Sequence, residues 1–279
     1  MNAKLIDGKR IADDIIENCA RRIDPLKSAG KTPGLAVIMV GENPASQVYV
    51  RNKVRACEKA GVYSEMHHMS ADTDEKTLLK KIASLNEAEK IHGILLQLPL
   101  PTGIDNEKVL AAINPQKDVD GFHPFNIGRL CSGLPALWPC TPSGCMEMLR
   151  RTGIPVAGGR AVIIGRSNIV GKPMALMLIN AGATVTVCNS QTVDLPAIAG
   201  EADILVAAVG RANFISAEMI KPGAVVLDVG INRTPDGLVG DVNFNEARTV
   251  AGHITPVPGG VGPMTVAMLI SNTVQAAAG

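Results

Sequence analysis

Ala161-Val162-Ile163-Ile164-Gly165-Arg166-Ser167-Asn168-Ile169-Val170-Gly171-Lys172-Pro173 reads as a strand, a glycine turn and the first turn of a helix. The apolar run before the turn fits a strand buried on both faces of a parallel sheet. Glycine at such a turn lets backbone N–H groups approach a pyrophosphate, and the helix N-terminus adds a partial positive charge. The glycine spacing departs from G-x-G-x-x-G, which leaves a plain structural turn as the alternative.

Working outward, the same alternation continues on both sides. Downstream come a helix over 170–181 and strands at 184–188, 203–209 and 224–228. Upstream, a helix over about 9–28 precedes the apolar strand Leu35 to Val40. Asn43-Pro44 then opens a helix closed by Gly61, and a helix near 73–90 leads to the strand Gly93 to Leu98. Strand–helix alternation with crossovers of this length predicts α/β architecture, parallel sheets with helices on both faces. Two α/β domains follow, joined near Cys140 to Ser143 after a loop-rich stretch from about 114 to 142. The last helix, about 263–277, could pack on either domain.

Composition narrows the function. Among 279 residues, 27 Lys plus Arg balance 26 Asp plus Glu, without the basic excess of a nucleic-acid binder. Aromatics at 3% are too few for stacking platforms. The six cysteines form no C-x-x-C pair and have no histidine at metal-site spacing, so reduced thiols and no metal are expected. The charged N-terminus lacks a signal-peptide core, and no apolar run reaches bilayer length. A soluble, cytoplasmic chain is the expectation.

Polar residues in unexpected places supply the candidate chemistry. Strand 184–188 ends in Cys188-Asn189-Ser190, where an NAD-binding unit usually carries an acid for the ribose 2′-hydroxyl. Its absence, with Arg166 and Ser190 nearby in the pattern, favours a 2′-phosphate and hence NADP. Ser46-x-x-Tyr49-x-x-x-Lys53 places three polar groups on one helix face. A lysine near other cations or partly buried can act as a base, although an isolated Y-x-x-x-K is also consistent with a snorkelling surface lysine. Short-chain dehydrogenases share that motif, but their glycine loop precedes it, whereas Gly165 lies far downstream of Tyr49. Gln97 interrupts a buried strand at its carboxyl end, where α/β sheets place ligands. Lys117-Asp118-Val119-Asp120-Gly121-Phe122 puts two acids at a tight turn, and either could simply bond that turn. Pro256 to Thr265 carries glycines that permit close backbone approach to a ligand.

Seven segments in this order, YVRNK at 49–53, QLPLP at 97–101, KDVDGF at 117–122, TPSG at 141–144, GRSNIVGKP at 165–173, DVGIN at 228–232 and PVPGGVGPMT at 256–265, carry a family likeness. Together they closely resemble the bifunctional methylenetetrahydrofolate dehydrogenase/methenyltetrahydrofolate cyclohydrolase family, over nearly the whole chain. The resemblance implies a folate-binding catalytic domain from 1–141 plus 263–279 and a Rossmann-like NADP-binding domain from 142–262. The C-terminal helix would return to the first domain, the folate site would lie in the cleft between the two, and the chain would be a homodimer. It further implies that Lys53 is the catalytic lysine, supported by Gln97, with Tyr49 lining the folate site and Leu98 and Pro99 beside it. Asp120 would hold the pterin ring, and Pro258, Gly259, Gly260, Val261 and Gly262 would form the far wall. Gly165, Arg166, Ser167, Ser190 and Ile231 match the family's NADP contacts. Asn189 departs from the pattern, since many relatives carry histidine there.

The implied chemistry is oxidation of 5,10-methylenetetrahydrofolate to 5,10-methenyltetrahydrofolate with NADP⁺, then hydrolysis to 10-formyltetrahydrofolate, in the one-carbon metabolism that serves purine biosynthesis. No metal is called for. The rivals are a single-activity NAD-dependent methylenetetrahydrofolate dehydrogenase and a non-catalytic folate-binding protein. Intact Lys53, Tyr49, Gln97 and Asp120 speak against the second.

Overall fold

The computed structural model describes residues 2–279, the side chains of Pro44 and Ala45 excepted. In chain order the elements begin with β1 (Lys4–Leu5), α1 (Gly8–Ser28), β2 (Gly34–Val40), α2 (Pro44–Ala60), β3 (Tyr63–Met69), α3 (Glu75–Glu87) and β4 (Gly93–Leu96). Next come α4 (Asn106–Ala111), α5 (Pro124–Cys131), α6 (Cys140–Thr152), β5 (Arg160–Ile164), α7 (Gly171–Asn180), β6 (Thr184–Cys188) and α8 (Leu195–Ala199). The chain closes with β7 (Ile204–Ala207), β8 (Val225–Asp228), β9 (Asn232–Thr234), β10 (Gly237–Val239), α9 (Phe244–Val250), β11 (His253–Ile254) and α10 (Val261–Ala278).

These form two compact units, one of residues 13–140 and 266–279, the other of residues 2–12 and 141–265. The first is built on a parallel sheet of order β3-β2-β4. Its central strand β2 has all seven residues buried, as its unbroken apolar run requires. Leu78, Ile82 and Leu85 of α3 pack against this sheet, together with Ile91, Val109 and Ile113. Edge strand β3 has the sequence YSEMHHM, with residues exposed or half-buried throughout. It carries no apolar run, which is why its sequence did not announce a strand.

The second unit holds a six-stranded parallel sheet of order β1-β11-β8-β7-β5-β6. After β6 the chain crosses back over β5, so the order of connection reverses between β5 and β7. Ligands of open α/β sheets bind outside the carboxyl ends of the strands at such a reversal.

One expectation needs correction. Residues 2–12, expected in the folate-binding domain, pack with the other unit, because Lys4 and Leu5 pair in parallel with His253 and Ile254. Two residues are too short for a hydrophobic pattern to mark. The stretch 114–142 is loop-rich as expected, interrupted by α5 and the start of α6, and Cys140 to Ser143 form the first turn of that helix. The C-terminal helix does return to the first unit. There Asn272 Nδ2 donates to Val119 O and to Trp138 O, at 2.9 Å each.

Candidate active site

In the first unit, Asn43 caps α2 by accepting from the Ser46 amide at 3.2 Å. That fixes the helix face carrying Ser46, half-buried Tyr49 and Lys53. Lys53 is only 8% exposed, and its Nζ donates to Gln97 Oε1 at 2.9 Å. Gln97 follows directly on β4, and its backbone N–H extends the ladder to Ile38 O at 2.9 Å. Its Nε2 donates to Leu98 O at 2.7 Å, which leaves Oε1 to face the ammonium. The Leu98–Pro99 peptide after it is cis.

The turn 117–122 divides its labour between residues that the sequence left ambiguous. Lys117 Nζ donates to Leu85 O, Asn86 O and Ala88 O at 3.2, 2.7 and 2.9 Å, closing the carboxyl end of α3. Buried Asp118 is the turn residue: it accepts from the amides of Gly121, Phe122 and His123 and from Asn126 Nδ2. Asp120 is thereby released from turn duty. Gly121 has φ +77°, and a Cβ there would come within 2.4 Å of Pro139 N, so only glycine fits. That close approach brings Cys140 beside Asp120. Replacing Lys117 by methionine should leave these carbonyls unpaired and lower stability by about 1–3 kcal/mol, read as a shift in the urea midpoint with the folate KM unchanged.

Lys53 and Asp120 tune one another. Burial pushes the Lys53 amine below its ordinary value, while the charge of Asp120 opposes that fall. Burial raises Asp120 to about 6, with Lys53 pulling down, Asp118 pushing up and a hydrogen bond from Cys140 pulling down. The Cys140 thiol also lies 3.1 Å from Val119 O, and burial holds it well above the usual thiol range, so it serves here as a neutral donor. Sequence reasoning passed over Cys140; its position directly before the TPSG segment was the available signal.

In the second unit, Gly165 has φ +126°, and a Cβ on it would stand 2.1 Å from Ala208 O. The turn therefore requires glycine, and it seats the loop after β5 against the loop after β7. Ser167 Oγ accepts from Val170 N and Gly171 N at 3.2 and 3.3 Å, tying the loop to the start of α7. Arg166, Ser167 and Ser190 are exposed. Gly165 N donates to Cys188 O at 2.9 Å, so Arg166 and Ser190 follow neighbouring strand ends. Asn189 Oδ1 accepts from Gln191 N at 3.0 Å, and no acid stands at this strand end. An exposed cation and hydroxyl without a carboxylate fit a phosphate better than a ribose diol. Ile231, just beyond β8, is exposed, and its Cδ1 lies 3.6 Å from where a Gly262 Cβ would be. The turn Pro258 to Gly260 and the first residues of α10, Val261 and Gly262, belong to this unit too. Gly259 has φ +105°, and its carbonyl accepts from Lys9 N at 3.0 Å.

Two family models match the chain: the tetrahydrofolate dehydrogenase/cyclohydrolase catalytic domain over residues 6–120, and the NAD(P)-binding domain of the same family over residues 139–279. The chain belongs to the tetrahydrofolate dehydrogenase/cyclohydrolase family. A relative from Cupriavidus metallidurans, bifunctional protein FolD, is 60% identical over 99% of this chain and 98% of its own. The crystal structure of the Campylobacter jejuni bifunctional FolD superposes with TM-score 0.97 at 49% identity, covering 99% of each chain. The Trypanosoma brucei methylenetetrahydrofolate dehydrogenase-cyclohydrolase, solved with NADP cofactor and an inhibitor, gives TM-score 0.95 at 40% identity over 100% of this chain and 98% of that one. This member of the tetrahydrofolate dehydrogenase/cyclohydrolase family is an enzyme, an oxidoreductase and a hydrolase of one-carbon metabolism. The expected family thus holds, and the bifunctional reading is supported over a single-activity dehydrogenase or a non-catalytic folate binder. Among the described residues no group of three or more His, Cys, Asp or Glu is gathered to hold a metal, and no helix is long and apolar enough to cross a membrane.

Proposed function

We propose that Lys53, Gln97, Asp120 and Tyr49 carry out the oxidation of 5,10-methylenetetrahydrofolate and the hydrolysis of the resulting methenyl cation to 10-formyltetrahydrofolate. The observation that supports this most is the buried Lys53 ammonium on Gln97 Oε1, with Asp120 close enough to act on it. NADP⁺ is the cofactor and, when bound, accepts the hydride from the methylene carbon. That transfer moves no proton to or from a side chain, so the chain contributes orientation. Hydrolysis is different. A water adds to the cation and must lose a proton, and the depressed Lys53 amine can take it. Gln97 holds Nζ in place for that step. Asp120, as a carboxylate, can accept two parallel N–H bonds from the pterin 2-amino and N3 edge. Tyr49, Leu98 and Pro99 line the folate site, and for Pro258 to Gly262 a role in folate binding rests on the family likeness.

For NADP⁺ itself, Gly165, Arg166, Ser167, Ser190 and Ile231 form the contacts, with Arg166 and Ser190 on the 2′-phosphate. The chain works as a homodimer in the cytoplasm, a reading that rests on the family likeness. Arg166→Ala should raise the KM for NADP⁺ more than that for NAD⁺ in parallel initial-rate assays. Equal changes for both cofactors would show that Arg166 does not read the phosphate.

A further inference from the structure

We infer that Asp241, a buried carboxylate outside all seven motifs, is a positioning residue that shapes the dinucleotide site and so sets cofactor affinity. The inference rests on the reading that the carboxyl end of the six-stranded sheet binds NADP⁺. Asp241 is fully buried. Its Oδ2 accepts from Val209 N and Gly210 N at 2.6 and 2.9 Å, and its Oδ1 from Arg211 N and Asn232 Nδ2 at 2.9 Å each. Three successive backbone amides turned towards one point make a concave anion site. Here the protein fills that site with its own carboxylate, and the loop takes its shape from it.

The location gives the arrangement its consequence. Val209 to Arg211 follow β7, at the point where the strand order reverses, and Ala208 O is the atom that the Gly165 turn abuts. Asn232 adjoins Ile231 beyond β8. One carboxylate therefore ties the loop after β7, on one side of the reversal, to the segment after β8 that carries Ile231. Asp241 is itself held from behind. Asp228 Oδ1 accepts from Asp241 N at 2.9 Å and Gly230 N at 3.0 Å, and its Oδ2 from Val242 N at 3.0 Å. No slack exists between the two acids: a Cβ on Gly230 would fall 2.3 Å from the Asp241 carboxyl, and one on Gly240 would fall 1.8 Å from Asp228 Oδ2. This close fit accounts for the acid and the glycine of the DVGIN segment, Asp228 and Gly230.

Asp241→Asn turns one acceptor into an N–H donor aimed at backbone donors, so the 209–211 loop must move. The expected result is a KM for NADP⁺ raised roughly 10- to 30-fold, from loss of charge-assisted bonds that hold the loop. Turnover at saturating NADP⁺ should stay within about threefold. Cyclohydrolase activity, assayed on methenyltetrahydrofolate without cofactor, should be unchanged. An unchanged KM for NADP⁺, or an equal loss of both activities, would overturn the inference. Arg166→Ala measured alongside separates the two levels. If only Arg166→Ala raises the KM, the site stands and the positioning role falls; if neither does, the placement of the cofactor falls as well. Should Asp241→Asn not fold, Asn232→Ala removes one of the four tethers. A raised KM for NADP⁺ with intact cyclohydrolase then supports the role, and an unchanged KM overturns it.

Discussion

Lys53→Met should abolish cyclohydrolase turnover while dehydrogenase activity survives, so that methenyltetrahydrofolate accumulates in a single progress curve. Removing a general base typically costs 10²–10⁴-fold, whereas hydride transfer asks no proton of the side chain. Methionine keeps most of the length and the apolar stem of a residue that is only 8% exposed, so the packing of α2 is largely preserved. The wild-type pH profile carries the same information. Burial lowers the Lys53 amine, so cyclohydrolase activity should rise with pH as that proton leaves, at a pH below the ordinary lysine value of 10.5. The variant should lose this limb. A variant that keeps hydrolysis and loses oxidation would overturn the assignment of Lys53. A folding defect is separated by NADP⁺ binding, since Gly165 and Arg166 lie in the other compact unit.

The parts of this molecule that were legible in its sequence are those where one physical requirement writes a long pattern. Leu35 to Val40 must be apolar throughout because β2 is covered on both faces, and the helix bearing Lys53 needs its cap and its stripe. Gly165 was legible for a sharper reason, since no other residue fits 2.1 Å from Ala208 O. What stayed hidden was long-range and polar. Asp118 and Asp120 are two residues apart and chemically identical, and only the amides of residues 121–123 show which one the turn consumes. Asp241 meets Val209 to Arg211 across some thirty positions of sequence, with no periodicity to betray it. Two-residue strands such as β1 and β11 fail for want of length, so the N-terminal segment was expected with the wrong unit.

Asp120→Asn should weaken folate binding in both half-reactions by roughly 10- to 150-fold at pH 7 to 8, the loss of one charge-assisted hydrogen bond worth about 1.5–3 kcal/mol. An amide presents one acceptor and one donor to a pterin edge that offers two donors. The structure adds a pH window to that expectation. Burial raises the wild-type carboxyl to about 6, so above that pH it accepts both bonds, and below it the bound proton removes one acceptor. The gap between wild type and variant should therefore be widest above pH 6 and narrow as pH falls through it. Stability should move the other way. An acid raised in the folded state from 3.8 to about 6 favours folding fully below pH 3.8, and that contribution is lost as pH rises through 6. Asparagine has no such loss, so the variant should melt no lower than wild type at pH 7 to 8 despite its weaker binding. Weak binding together with a lowered melting temperature would instead mean that Asp120 supports the turn, a duty the hydrogen bonds assign to Asp118. Titrating methenyltetrahydrofolate KM and melting temperature across pH 5 to 8 on both proteins decides between the two roles.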